Sequence, residues 1–322
     1  MDDPSRPAPA SAEGFDAYFD LTVQPLLDAL EAKRAKRIRL IVILLATGLA
    51  FFAVILFQAI TRQNQASGLF DNQAVGLGVF ALMFGPLVAA FLMYRGLTQA
   101  FKEVLTGRIC EFYGFDHRMG GFDFPLERFD ALLPPYGQAK LEDRIAGKHK
   151  GLGFELCEVA LTRRSAKSDT KNKTAFTGVL LAVDCHRRFE GETVLTPDWG
   201  PKGNLVERLR QQGERVQFEG IVFENAFEVY STDQLEARYL LSPLMMERIV
   251  GFADNLGNGR GIGLAFSQGQ LLLAVRRRRG AGRFEAGHLF ARVDNWRERA
   301  ERVSGEIHAV LQIVDALRLE KD

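Results

Sequence analysis

Four residues in the second half of the chain have side chains that could perform chemistry: Asp233, Glu236, Arg238 and Tyr239. Asp233 and Glu236 are three positions apart, so a helix would place two carboxylates on one face, as general acid–base chemistry requires. The same spacing is typical of a helix N-terminus, where an acidic side chain caps backbone N–H groups. We therefore expect capping here, and we keep the four residues as a candidate site for a ligand or partner.

Other residues with catalytic or metal-binding capacity are scattered along the chain. Neither the five histidines nor the three cysteines have the spacing of a zinc site, and no CxxC pair occurs. Cys185 and His186 are adjacent on a predicted strand and would point to opposite faces of it. The glycines between 257 and 263 precede a predicted strand, whereas a dinucleotide-binding loop follows one. The sequence thus predicts no catalytic residues, no metal and no cofactor.

Basic residues form three groups, one before the first apolar run, one between two predicted strands and one after a later strand. Near a membrane, each basic side chain contributes about 1 kcal/mol of attraction to anionic lipid. The alternative is that these are solvated surface residues. The side chains predicted to face lipid are Lys33, Arg34, Lys36, Arg37, Arg163, Arg164, Lys167, Arg276 and Arg277. Overall the charges nearly cancel, with 41 basic and 40 acidic residues, so no nucleic-acid partner is expected.

Two uncharged apolar runs, Leu40–Ile60 and Ala74–Tyr94, are each 21 residues long. A helix needs about 20 apolar residues to cross the hydrocarbon core of a bilayer. The link between the runs, Thr61–Gln73, is long enough only for a turn, and basic residues flank the pair on both outer sides. The positive-inside rule then places both termini in the cytoplasm. The sequence predicts a two-pass membrane protein with its N- and C-termini in the cytoplasm.

The apolar runs divide the chain into parts of different composition. A Pro- and Ala-rich start precedes an amphipathic segment, and a Gly- and Pro-rich segment follows the helix that leaves the membrane. The predicted parts are a disordered N-terminus (1–14), an amphipathic cytoplasmic helix (15–39), a transmembrane helical hairpin (40–94), an exit helix and linker (95–135) and a cytoplasmic domain (136–322).

The cytoplasmic domain mixes strands and helices without a repeating βα unit, which favours an α+β fold with a mostly antiparallel sheet. Gln268-Gly269 lies between two alternating apolar runs and predicts a β-hairpin. Apolar residues from Trp296 onwards recur at helical spacing and predict a long C-terminal helix. Further strands are predicted at Phe154–Leu161, Phe176–Cys185, Val216–Phe223 and Phe227–Tyr230, with residues 162–173 as a basic connection and Leu205–Gln212 as a short helix.

The segment Phe227–Ile249, FEVYSTDQLEARYLLSPLMMERI, resembles the signature block of a bacterial membrane-protein family. That family is known only as domain of unknown function three-one-three-seven. Similar blocks are found at Leu141–Gly147, Gly153–Glu158, Thr174–Asp198, Ile262–Val275 and Phe284-Glu285, and two spans before the domain also fit. The resemblance covers roughly residues 15–319. It implies a membrane-anchored protein of the bacterial inner membrane and supplies no catalytic residues.

The topology and the absence of a catalytic motif favour a non-enzymatic protein whose cytoplasmic domain binds a protein partner, a lipid surface or a small ligand. The main alternative is a membrane-associated enzyme with an unrecognised site that includes Asp233 and Glu236. A component of a transport complex is a third hypothesis. It would need a second copy of the chain at the small-residue face of Ala81, Gly85 and Ala89, and the spans carry no charge that would mark a substrate route.

Overall fold

The computed structural model describes residues 14–61, 73–165, 168–185, 188–197, 213–255, 261–276 and 296–317. These residues divide into two compact units, with the boundaries inside two long helices. The helical unit contains the described residues from 14 to 108 and residues 296–300. The sheet unit contains the described residues from 109 to 276 and from 301 to 317. Several predictions fall outside the described residues: the disordered N-terminus, most of the link between the spans, the helix at Leu205–Gln212, Lys167 and Arg277.

The helical unit begins with one nearly continuous helix. It consists of α1 (Phe15–Tyr18), a π-helical turn (Phe19–Val23) and α2 (Gln24–Thr61). The backbone N–H of Gln24 donates to the carbonyl of Phe19, five residues back, immediately before Pro25, which has no N–H to donate. The predicted amphipathic helix is therefore a direct extension of the first apolar run.

The apolar face of this extension is buried. Phe15, Phe19, Val23 and Leu27 follow one another every four residues, and each is less than a tenth exposed. Arg297 pairs with the carboxylates of Asp16 and Asp20 and lies over the ring of Phe19. These apolar side chains are therefore covered by protein.

The remaining helix of this unit is α3 (Gln73–Phe112), which contains Pro86. Both long helices leave large apolar side chains exposed where the sequence predicts spans. Leu49 of α2 is 70% exposed and Phe80 of α3 is 60% exposed. One helix, from Phe15 to Val54, is long and apolar enough to cross a membrane. The structure therefore has an N-terminal helix suited to membrane insertion.

The sheet unit is built on nine antiparallel strands in the order β1-β2-β3-β4-β9-β8-β5-β7-β6. The predicted antiparallel sheet is confirmed, and so is the β8–β9 hairpin, whose turn residues Gln268 and Gly269 both have positive φ. The strands are β1 (Asp116–Met119), β2 (Gln138–His149), β3 (Leu152–Ser165), β4 (Ser168–Asp184), β5 (Thr193–Pro197), β6 (Glu214–Val216), β7 (Phe227–Ser231), β8 (Ile262–Ser267) and β9 (Gln270–Arg276).

The Gly- and Pro-rich segment that follows α3 is a core element. It includes a 3-10 turn (Leu126–Phe129), and Phe129 and Leu133 are almost completely buried against β3, β4 and β9. The sequence suggested a loop or linker here. The backbone is irregular as expected, but its aromatic and aliphatic side chains cover one face of the sheet.

The helices of the sheet unit are α4 (Ile221–Ala226), α5 (Gln234–Leu240), α6 (Pro243–Asn255) and the part of α7 (Trp296–Leu317) after residue 300. The prediction of a strand at Val216–Phe223 is wrong beyond Val216. Glu224 of α4 accepts the backbone N–H of Phe218, which reverses the chain and starts a helix in which Phe223 is buried and Ile221 exposed. A short apolar run alone cannot distinguish these two outcomes.

Candidate functional site

Asp233 is the N-cap of α5. Its Oδ1 accepts the backbone N–H groups of Leu235 (2.9 Å) and Glu236 (3.0 Å). The Ser231 hydroxyl supports the cap, because it accepts the N–H of Asp233 and donates to the carbonyl of the same residue. This carboxylate thus satisfies two of the backbone donors that every helix N-terminus leaves unpaired.

Glu236 stabilises a distant loop instead of completing a capping box. Its two carboxylate oxygens accept the backbone N–H groups of Glu190 (3.0 Å) and Gly191 (2.7 Å), in the segment before β5. A Cβ on Gly191 would lie 2.9–3.1 Å from side-chain atoms of Thr232, Asp233 and Glu236, so only glycine fits this close approach. The carboxylate holds the loop against the start of α5.

Arg238 and Tyr239 lie further along α5. The Arg238 guanidinium lies 5.8 Å from the ring centroid of Phe218, a cation–π contact, and Tyr239 is 66% exposed. The structure therefore gives Asp233 and Glu236 structural hydrogen bonds, while Tyr239 lies on the surface. That the four residues form a ligand or partner site stays a prediction.

Glu192 is a carboxyl in the same region that the sequence did not single out. Burial raises the pKa of its side chain, and its backbone N–H donates to Thr232 Oγ1 (2.9 Å). In the sequence, the one local feature of Glu192 is its position directly before β5. That position does not indicate that Thr232, 40 residues later, lies beside it.

The basic residues that were predicted to face lipid have different environments. Arg34 is only 7% exposed, and its Nη1 contacts both oxygens of Glu31 at 2.8 and 3.0 Å. The side chain is thus largely covered by protein, and its predicted contact with lipid stays a prediction. Lys33, Lys36 and Arg37 of the same helix are exposed. For these three residues, the lipid contact stays a prediction.

The second and third basic groups lie at one end of the sheet. Arg163 of β3 is paired in register with Lys173 of β4, and both side chains are exposed. Arg276 of β9 lies 5.6 Å from the ring centroid of Phe176 and donates to the carbonyl of Ala175 (3.3 Å). Arg164, also exposed, is paired with Asn172. Residues 162–173, predicted to be a connection, are mostly strand.

Buried titratable groups form a separate cluster near the start of the sheet. His117 Nε2 lies 3.3 Å from Asp143 Oδ1, and both side chains are buried.

The three cysteine thiols are held in their neutral form. Burial, and then the charge of Asp143, raises the pKa of the Cys110 thiol, and burial raises the pKa values of Cys157 and Cys185 to about 12. Thiols held neutral in this way are poor nucleophiles. Within the described residues, no three or more His, Cys, Asp and Glu side chains are placed to hold a metal ion.

The segment Phe227–Ile249, which carries the family resemblance, folds as β7, α5 and the first half of α6. Residues 174–319 match the family described as "Protein of unknown function (DUF3137)". This match confirms, over residues 174–319, the family resemblance predicted from the sequence. Among solved structures, the crystal structure of the mycobacterial trehalose monomycolate transport factor A, TtfA, is similar at 12% identity and a TM-score of 0.36, covering 67% of this chain and 95% of that chain. The comparison with curated proteins found no match.

Within the DUF3137 match, α4, α5 and α6 present large apolar side chains to solvent. Ile221, Val222, Leu235, Tyr239 and Leu244 are exposed by between 55% (Leu244) and 82% (Leu235). We call these five residues the α4–α6 apolar surface. Single exposed apolar residues are common, but several on neighbouring short helices are typical of interaction surfaces. The sequence did not predict this surface, because it assigned Ile221 and Val222 to a strand.

Proposed function

We propose that this protein is a two-pass protein of the bacterial inner membrane whose cytoplasmic α+β domain binds a protein partner. The α4–α6 apolar surface carries the proposal of a partner. Its five large side chains are exposed although the same domain buries most of its other aliphatic and aromatic residues. Burying such side chains against a partner would contribute about 25 cal/mol per Å² of apolar area.

The two exposed apolar helices support the membrane part of the proposal. α2 and α3 expose Leu49, Phe57, Phe80 and Leu92 by 59–70% in the regions where the sequence carries no charge. Such exposure would be unfavourable in water and is expected in lipid. The basic residues that flank both runs favour a cytoplasmic domain.

A cysteine-accessibility experiment tests the topology. Ser67→Cys lies in the sequence-predicted external link, and Ala139→Cys replaces an exposed residue of β2. In spheroplasts, a membrane-impermeant maleimide should label Ser67→Cys at once and Ala139→Cys only after permeabilisation. The three native cysteines should react only slowly with the maleimide, because burial raises the pKa of their thiols and keeps them protonated. Labelling of Ala139→Cys in intact spheroplasts would contradict a cytoplasmic domain.

Site-specific photo-crosslinking tests the partner. Benzoylphenylalanine at Leu235, on the apolar surface, should give a discrete cross-linked protein in cells, and the same amino acid at Ala139 should not. Adding Tyr239→Glu to the chain that carries the photo-reactive residue at Leu235 should abolish the product, because it places a charge one helical turn away on the same exposed face of α5. Identical products at both positions, or no product at Leu235, would contradict partner binding by this surface.

A further inference from the structure

Among the described residues, the β3–β4 hairpin extends past the strands that pair with it. The last β2 residue paired with β3 is Gln138, opposite Thr162, and the last β9 residue paired with β4 is Arg276, opposite Gly178. Beyond these points, no third strand flanks the hairpin among the described residues. We call the segment from Thr162 to Lys173 the basic ribbon. A two-stranded ribbon without a third strand is marginally stable in water.

The basic ribbon concentrates positive charge in a chain that is nearly neutral. Residues 162–173 contain five basic side chains and one acidic side chain, Asp169, while the whole chain has a net charge of +1. Arg163 and Lys173 are directly opposite each other, an arrangement of like charges that destabilises a strand pair. No carboxylate of the described side chains forms an ion pair with Arg163, Arg164 or Lys173. An external anion would relieve this repulsion.

Arg276 adds a fixed cation at the base of the ribbon, on the same face of the sheet. Phe176 lies on the face that the core loop covers, and Arg276 contacts its ring. Side chains alternate along a strand, so Arg163, two residues after the buried Leu161, continues that face. Ala175 is bulged out of the pairing between Leu161 and Thr162, and Arg276 donates to its carbonyl. The bulge and this hydrogen bond position the start of the ribbon.

We propose that the face formed by Arg163, Lys173 and Arg276 binds the anionic headgroups of a lipid bilayer. The inference rests on the membrane attachment in the proposed function and not on the protein partner. A helix anchored in the bilayer keeps the domain close to lipid headgroups at a high effective concentration, whereas a soluble acidic protein would have to be recruited. The ribbon then becomes ordered when the headgroups neutralise its opposed cations.

Hydrogen exchange of the full chain in nanodiscs tests this inference. We expect the amides of residues 162–174 to exchange quickly in phosphatidylcholine discs and several-fold more slowly when phosphatidylglycerol is included. Added salt should reverse the protection, because it screens the charges. The variant Arg163→Gln/Lys173→Gln should lose the protection, since each basic residue near the surface accounts for about a fivefold change in affinity. Amides of Glu155–Leu161 report in every sample whether the sheet is folded.

The matched control is Arg118→Gln/Lys140→Gln, which removes two exposed cations from β1 and β2 and should keep the lipid-dependent protection. Equal protection in neutral and anionic discs would overturn the inference. So would protection by a poly-glutamate peptide but not by phosphatidylglycerol, which would assign the ribbon to an acidic protein. A chain that enters neither disc would overturn the membrane attachment, and phosphatidylglycerol vesicles added to it would still test the ribbon.

Discussion

The Glu236 carboxylate joins α5 to the loop before β5 through two backbone N–H groups. Hydrogen bonds to a charged group are worth about 1.5–3 kcal/mol. We expect Glu236→Ala to lower the free energy of unfolding by roughly 1.5–2 kcal/mol, the lower part of that range because the side chain is partly exposed. Denaturant unfolding of the detergent-solubilised chain measures this decrease in the free energy of unfolding.

The control for Glu236→Ala is Glu247→Ala, which truncates an exposed glutamate of α6 and should change stability by less than about 0.5 kcal/mol. Equal effects of the two substitutions would show that the loop contacts are not stabilising. A loss of partner cross-linking without a loss of stability would instead favour a binding role for Glu236.

Asp233 provides a second test at the residue scale, because its role as an N-cap depends on an acceptor atom and not on charge alone. Asp233→Asn should leave stability nearly unchanged, since asparagine caps equally well, whereas Asp233→Ala should cost about 1 kcal/mol. Thermal unfolding of the two variants side by side measures the difference. If Asp233→Asn were as unstable as Asp233→Ala, the negative charge and not the cap would be the stabilising feature.

The cap was predictable from sequence and the loop contact was not, for a physical reason. Capping involves residues within one helical turn, so the spacing of Asp233 and Glu236 contains the information. The loop residues Glu190 and Gly191 are more than 40 positions away, and only the pairing of β5 with β7 brings them near α5. Local patterns cannot predict a contact that depends on strand order.

At the scale of elements, the carboxylate of Asp315 on α7 pairs with two basic side chains at the β2–β3 turn. Asp315 Oδ1 lies 2.9 Å from His149 Nε2 and 2.8 Å from Lys150 Nζ. Burial alone would raise the pKa of Asp315, but hydrogen bonds from Lys150 and His149 outweigh it and lower the pKa below the ordinary value of 3.8. The contact therefore needs the ionised carboxyl.

This lowered pKa predicts the pH dependence of Asp315→Asn. A depressed carboxyl pKa stabilises the folded state above its unfolded value, and the stabilisation is lost as the pH falls through the folded value. The wild-type chain should therefore have a higher Tm than Asp315→Asn at neutral pH, and the difference should shrink as the pH falls below 3.8. Thermal scans across this range measure it. A difference that is constant with pH would rule out the ionic contact.

Gly178 marks the closest approach of β4 and β9. A Cβ at this position would lie 2.0 Å from the carbonyl oxygen of Val275, which cannot move without breaking the strand pair. We expect Gly178→Ala to destabilise the sheet by about 1–3 kcal/mol, the usual cost of overpacking. Gly137→Ala is the control, since its Cβ would lie 3.9 Å from the nearest atom. Equal unfolding midpoints would contradict the close approach.

The elements differed in how well the sequence predicted them. The β8–β9 hairpin was predictable because its turn residues and alternating strands are adjacent in sequence. The segment after α3 was not predicted to be buried, because glycine and proline indicate irregular backbone and leave open whether Phe129 and Leu133 face solvent or core. The hairpin strands at residues 162–173 were missed because polar and basic side chains concealed their extended backbone.

At the scale of the whole molecule, the environment of the long helices is testable with matched substitutions. Leu21 and Leu49 are 80% and 70% exposed, but only Leu49 lies in an apolar run that the sequence predicts to cross lipid. An arginine in the middle of a span costs roughly 2.5–3.5 kcal/mol. Leu49→Arg should therefore increase release of the chain into an alkaline carbonate wash, and Leu21→Arg should not. Equal release would contradict a lipid environment for Leu49.

The two edges of the nine-stranded sheet have a consequence for crowding in the plane of a membrane. Proteins confined to a bilayer collide with copies of themselves often, and a long bare strand edge would let one sheet add to the next. Here the two outermost strands in the described residues are short, four residues in β1 and three in β6, and carry charged side chains such as Arg118 and Arg215. The longer unpaired edge among the same residues is the basic ribbon, whose like charges repel a second copy. Such edges discourage edge-to-edge aggregation. The proposed membrane attachment would therefore raise the local density of the chain without offering the sheets a long neutral edge on which to pair.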